Sequence, residues 1–209
     1  IETGIHPDSW KQGGYNTLSS YCRNLDKQYD QKLTGCISNM YPENLPGLHR
    51  EFFINTQKNY HIIDRKLFVH GGFNRHLEID KQSFPYIYYW DRDLWAAAMS
   101  FQSMKENHKD SFVGKFKYHD KSFDEIYIGH TSTCNWNYDY YNHFDEKSDT
   151  IVKYIKKPIN TPMKAANITN LDTGSGNKHG KLTILNIDDN FEYYQSDICG
   201  ELYPNEIFR

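Results

Sequence analysis

Apolar positions along this chain change period several times. Leu18, Tyr21, Cys22 and Leu25 recur at helical spacing and predict a surface helix over residues 14–25, with Asn16 or a neighbouring polar group starting the turn. After a polar stretch containing Pro42 and Pro46, Leu48, Phe52 and Phe53 predict a second helix that ends near residue 57. The period then shortens. Tyr60-His-Ile-Ile63 and Lys66-Leu-Phe-Val69 are apolar runs separated by Asp64-Arg65, which predicts a hairpin. In Trp90-Asp-Arg-Asp-Leu-Trp-Ala-Ala-Ala-Met99 an acidic first turn meets good helix formers. Asp91 or Asp93 is therefore expected to cap a helix whose start carries Arg92. Residues 106–121 and 137–157 read as exposed loops, the second with a tyrosine cluster. Residues 164–171, a glycine-rich turn at 172–176 and residues 181–187 read as strand, turn and strand.

Composition narrows this picture. A chain of 209 residues, 38% hydrophobic and 16% aromatic, suffices for one sizeable core, and no repeat or linker divides it, so one domain over residues 1–209 is expected. With 17 tyrosines and 12 phenylalanines, the core and part of the surface must be aromatic. A net charge of −3 supplies no basic field for nucleic acid and no polybasic membrane patch. Neither partner is expected. Cys22, Cys36, Cys134 and Cys199 form no C-x-x-C pair and are expected to be reduced. No apolar run approaches the ~20 residues that span a bilayer, and the start has no signal-peptide pattern, so a cytoplasmic protein is expected.

The chemistry concentrates where strands stop. Lys66-Leu-Phe-Val-His-Gly-Gly72 and Glu125-Ile-Tyr-Ile-Gly-His-Thr131 each run an apolar strand into a histidine with glycine beside it. Such histidines project into the crevice at the carboxyl ends of sheet strands, where His70 and His130 can share one metal ion. Asn74 and Arg75 follow the first site closely and are candidates to line its mouth, whereas His76 reads as an exposed loop residue. Arg92 stands between Asp91 and Asp93. It is either neutralised by them or held by the flanking tryptophans for bidentate phosphate recognition. Asp172-Thr-Gly-Ser175 has the aspartic-protease pattern, but a single copy would require a homodimer and would leave His70, His130 and Arg92 without a role. Asn107-His-Lys-Asp110 reads as a solvated loop.

Taken in order, Phe68-Val-His-Gly-Gly-Phe73, Trp90-Asp-Arg-Asp-Leu-Trp95, Tyr127-Ile-Gly-His-Thr131 and Asn170-Leu-Asp-Thr-Gly-Ser-Gly176 followed by Lys181-Leu-Thr-Ile184 make a pattern. The chain resembles calcineurin-like metallophosphoesterases, and more narrowly their bacterial and phage serine/threonine protein phosphatase branch. Tyr194-Gln-Ser-Asp197 and Leu202-Tyr-Pro204 are similar to the ending of one bacterial subgroup. The resemblance implies an α/β fold, the C-terminal part of a four-layer αββα sandwich with mixed sheets flanked by helices. It makes His70 and His130 ligands of one ion of a two-metal pair (manganese, iron or zinc) and gives Arg92 a phosphate oxygen to hold. It implies a metal-dependent phosphomonoesterase acting on phosphorylated protein or a small phosphoester, by direct attack of a metal-bridging hydroxide.

The family's Asp-x-His, Gly-Asp-x-x-Asp-Arg-Gly and Gly-Asn-His-Asp motifs are absent, and Ile1-Glu-Thr-Gly-Ile-His-Pro7 is similar to the segment that follows them. The resemblance therefore implies an N-terminally incomplete domain, inactive as it stands because two imidazoles do not complete a hydrolytic metal site. Two alternatives accompany this expectation. One is hydrolysis of a dinucleoside polyphosphate of the diadenosine tetraphosphate type, with Phe73, Tyr88 and Trp136 either stacking a base or packing in the core. The other is a phosphatase-like module that binds without catalysis.

Overall fold

The computed structural model describes residues 5–7, 10, 13–33, 35–108, 112–119, 123–135, 141–145, 150–154, 159–189 and 192–205. Trp136 and Asp110 lie outside them. The chain divides into two compact units, Ile1–Lys58 and Asn59–Arg209. In the first, β1 (Ile5–Pro7), β3 (Gly35–Ser38) and β2 (Tyr29–Lys32) form an antiparallel sheet in the order β1-β3-β2. The first expected helix forms as α1 (Gly14–Asn24), and its Tyr15, Leu18 and Cys22 pack with Cys36 and Met40. The second begins as α2 (Gly47–Glu51) and continues as a wider π-turn over Phe52–Thr56, with Leu48, Phe52 and Phe53 exposed.

The second unit is built on a five-stranded mixed sheet. Its order is β4 (Tyr60–Ile63), β5 (Lys66–Val69), β6 (Glu125–Ile128), β10 (Ile168–Asn170) and β9 (Met163–Ala165). The predicted β4–β5 hairpin forms, and Asp64 and Arg65 take φ values of 45° and 63° at its tip, the paired left-handed conformation of a type I′ turn. Arg65 then grips Asp124 with two hydrogen bonds of 2.7 and 2.8 Å, which ties the hairpin to the start of β6. β5, β6 and β10 are mutually parallel, so their carboxyl ends lie side by side. An α/β architecture follows from this sheet and its helices.

Alternation divides the faces of the sheet. Leu67, Val69, Ile126, Ile128 and Ile168 join Leu94, Trp95 and Ala98 of α4 (Asp93–Asn107) in one buried cluster. On the opposite face Phe68 stacks on Tyr127 at 4.9 Å. The short helix α3 (Ile87–Trp90) precedes α4, and Asp91, one residue ahead of the N-cap position, accepts the Leu94 N–H at 3.0 Å and so supplies a capping bond from one of the two acids expected to do so. Phe73 and Tyr88 both belong to the core, where the Tyr88 hydroxyl donates to the Ile79 carbonyl, so neither offers a face to a base. All four cysteines are free and buried.

Three segments differ from the sequence expectation. The 137–157 stretch holds an antiparallel hairpin of β7 (Tyr141–Asp145) and β8 (Thr150–Tyr154). Residues 164–171 are not one strand but the β9–β10 hairpin, which turns at Ala166 with φ 52°. The strand expected within residues 181–187 forms as β11 (Thr183–Leu185), which pairs with β12 (Tyr193–Gln195). Helix α4 also continues through Asn107, and His108 follows it exposed. The short α5 (Cys199–Leu202) is the last helix among the described residues. Among the described residues no helix is long and apolar enough to cross a membrane.

The glycines after His70 carry a packing requirement. Gly71 donates its N–H to the Tyr88 carbonyl at 2.7 Å, and a Cβ on Gly71 would stand 2.8 Å from the Tyr89 carbonyl carbon and 3.0 Å from the Asp91 nitrogen. A Cβ on Gly72 would collide with the Asp91 carboxylate. Backbone cannot yield as a flexible side chain does. Gly71→Ala is expected to cost about 1–3 kcal/mol in urea unfolding. Gly129→Ala, whose Cβ would sit 3.5 Å from the His70 carbonyl, is expected to cost under about 1 kcal/mol, chiefly through conformational preference.

Candidate functional site

The parallel register of β5, β6 and β10 assembles the site. Phe68 pairs with Tyr127 and Ile128 with Asn170, so the residues that follow these strands emerge at a common edge. His70 comes directly after β5, and the Gly129 N–H donates to its carbonyl at 2.8 Å. His130 comes two residues after β6, and Asp172 two residues after β10. The two imidazoles face each other with ring centroids 5.2 Å apart at 55°, and Trp90 stands edge-on to His130 at 5.1 Å.

Backbone geometry aims His130. Its φ is 62°, and the Thr131 N–H donates to the Gly129 carbonyl at 2.6 Å, so His130 is the middle residue of a three-residue turn that side-chain-bearing residues rarely adopt. Neighbouring bonds hold this turn in place. Asn170, fully buried, donates its side-chain N–H to the Thr131 carbonyl at 2.8 Å and accepts the Asp172 N–H at 3.0 Å. The Thr133 N–H donates to the Asp172 carbonyl at 2.7 Å, which joins the loops that follow β6 and β10.

Among the described residues His130 Nε2 and Thr131 Oγ1 are buried without a hydrogen-bond partner. Leaving such atoms unpaired costs of order 1–3 kcal/mol each, so their position is explained if a bound group completes them. The electrostatics disfavour the protonated form of both imidazoles. Burial holds His130 below the ordinary histidine value, and the Arg92 cation and then His70 push in the same direction, against the pull of Asp172. Burial likewise lowers His70, opposed by Asp172. Neutral imidazole is the form that binds a metal or accepts a donated proton.

Arg92 occupies the N-cap position of α4. Asp91 turns its carboxylate to the Leu94 N–H, and among the described residues Arg92 forms no ion pair with either flanking acid. Its charge reaches His130 instead. Of the two sequence readings of this arginine, the neutralised one is not what the structure contains. Asn74 and Arg75 have partners of their own. Asn74 accepts the His76 N–H at 3.0 Å within its own turn, and Arg75 donates to the Lys117 carbonyl at 2.9 Å with its guanidinium 4.7 Å above the Phe116 ring. His76 is exposed, as expected.

Asp172 is the site residue that the protease pattern obscured. Its Oδ1 accepts the Gly174 N–H at 3.0 Å, while its charge is felt by both histidines. The signal that could have found it is its offset from the strand end, two residues, the same as that of His130. Among the described residues no group of three or more histidine, cysteine or acidic side chains is close enough to hold a metal ion. Two imidazoles are fewer donors than a hydrolytic metal centre requires. No family model, curated protein or solved structure matches this chain.

Two consequences can be measured by NMR titration of the imidazoles. Arg92→Ala is expected to raise the His130 pKa and leave His70 nearly unmoved, whereas Asp172→Asn is expected to lower both. Since both histidines bind protons less readily folded than unfolded, their contribution to stability is complete above the ordinary value of 6.5 and is lost as pH falls through the depressed folded values. Urea unfolding followed between pH 7.5 and pH 5 should show a decline that is smaller in the His70→Ala, His130→Ala double variant.

Proposed function

We propose that His70, His130 and Arg92 form the metal- and phosphate-holding part of a metal-dependent phosphomonoesterase, with a phosphorylated serine or threonine side chain of a protein as the substrate. The observation that carries this reading is the buried, unpartnered Nε2 of His130, whose ring lies 5.2 Å from that of His70, with the charge of Arg92, in no ion pair among the described residues, felt at His130. Two neutral imidazoles suit manganese, iron or zinc, and an arginine free of carboxylates suits a phosphate oxygen. A bound divalent pair supplies charge neutralisation and a nucleophile at neutral pH. The chain's own contribution is to orient two nitrogens by strand register and to hold a guanidinium at a helix start, where an anion is already favoured.

In this reading the sheet belongs to a four-layer αββα metallophosphoesterase sandwich. The remaining donors, including a bridging carboxylate, come from a longer polypeptide that contains this chain. A hydrolytic centre needs them, and no third donor accompanies the histidines among the described residues. Hydrolysis of a dinucleoside polyphosphate is less well supported, because Phe73 and Tyr88 are core residues.

The test is turnover of a phosphoserine peptide and of diadenosine tetraphosphate by the longer polypeptide with manganese present. Hydrolysis of the peptide is expected, with chelator abolishing it, His70→Ala or His130→Ala each lowering kcat/KM at least about 100-fold, and Arg92→Ala lowering it about 10²–10³-fold. Preference for the dinucleotide would transfer the assignment to that substrate. Phosphate binding without turnover would favour a non-catalytic module, and undiminished activity in all three variants would overturn the site.

A further inference from the structure

The second unit also has a cavity at the opposite end of its sheet. It measures 780 Å³, within the range of small-molecule sites, and is lined by Phe123, just ahead of β6, and by Ala166 and Asn167, just ahead of β10. These are the amino ends of the strands whose carboxyl ends carry His130 and Asp172. The separation along β6 is on the order of 15 Å at ~3.3 Å per residue. The cavity is thus distinct from the histidine site.

Its lining combines two chemistries. Phe101, Phe116 and Tyr118 present a connected set of rings, with Phe116 5.4 Å from Phe101 and 5.2 Å from Tyr118. The Tyr118 hydroxyl donates to Asn167 at 2.7 Å, and Asn167 donates onward to the Asp124 carbonyl at 3.2 Å, so the ring floor is pinned to the sheet. Around the rings stand Lys105 from the last turn of α4 and Lys115 and Lys117 from residues 112–119. Among the described residues the lining includes no carboxylate and none of the three lysines forms an ion pair; Glu106 stands behind the lining residue Gln102, accepting its side-chain N–H at 2.8 Å. Arg75 adds a fourth cation behind Phe116. Three lysines around one ring cluster, with no carboxylate among the described lining residues, favour a polyanion, and the ring floor favours a planar group on the same molecule.

We infer that this cavity binds a nucleoside polyphosphate, the base lying against Phe101, Phe116 and Tyr118 and the phosphates among Lys105, Lys115 and Lys117. A volume of 780 Å³ suits a molecule of that size. A lysine ammonium provides the point charge that phosphate takes without requiring a bidentate partner. The site needs no metal and no residue of the histidine pair.

Isothermal titration with ATP in the presence of chelator tests this, beside adenosine, tripolyphosphate and an acidic tyrosine-containing peptide as separate probes. Saturable one-to-one binding of ATP is expected, with adenosine and tripolyphosphate each at least about tenfold weaker. Lys105→Glu, and Lys115→Glu combined with Lys117→Glu, should each weaken ATP at least about tenfold without altering the circular dichroism, since the side chains are exposed. The His70→Ala, His130→Ala variant should bind ATP as the parent does. The inference is overturned by no saturable ATP binding, by tripolyphosphate binding as tightly as ATP, by a peptide preferred over ATP, or by loss of binding in the histidine variant alone.

Discussion

The candidate site depends on one close approach of backbone to backbone. Where β5 ends, Gly71 and Gly72 have no Cβ, and the segment from Tyr88 to Asp91 comes to rest against them, fastened by the Gly71 N–H on the Tyr88 carbonyl. That contact fixes the start of α4, which in turn sets Arg92 at the edge where the two histidines emerge and places Trp90 against His130. Side chains on these glycines would displace the helix start from the sheet. The glycines beside His70 thus serve packing, and the geometry of the site is a consequence of that packing.

Strand register does the rest. Parallel pairing of β5 with β6 and of β6 with β10 brings His70, His130 and Asp172, from three distant stretches of chain, to one edge. Asn170 turns that alignment into a rigid arrangement by bonding both to the loop after β6 and to the Asp172 N–H. The His130 turn is held in a sparsely populated conformation only because these partners determine it. Such local strain beside an unpaired buried nitrogen is the pattern expected where a fold has been shaped around a bound group.

Much of this was legible in the sequence, and the reasons differ by element. The β4–β5 hairpin and the start of α4 follow from local patterning, since turn residues and a capping acid act over a few positions. His70, His130 and Arg92 could be identified because each sits beside an abrupt end of an apolar run. Asp172 was hidden, because its proximity to the histidines comes from pairing between strands some 40 residues apart. The environments of Asn74 and Arg75 were hidden for a similar reason: the carbonyl and ring that Arg75 meets belong to residues 116 and 117, and adjacency to His70 in sequence says nothing about which way a side chain turns. Residues 164–171 looked like one strand because a two-residue turn at Ala166 and Asn167 scarcely interrupts the apolar pattern.

The central claim is that His70 and His130 present their nitrogens to a single divalent cation. Titration of zinc into the ¹⁵N-histidine-labelled protein, followed by long-range proton–nitrogen NMR, reads this directly. The account predicts that one nitrogen of His70 and the Nε2 of His130 shift together at one equivalent, and that both responses vanish when either histidine is replaced by alanine. Independent shifts at different zinc concentrations, or no change at His130 Nε2, would contradict it.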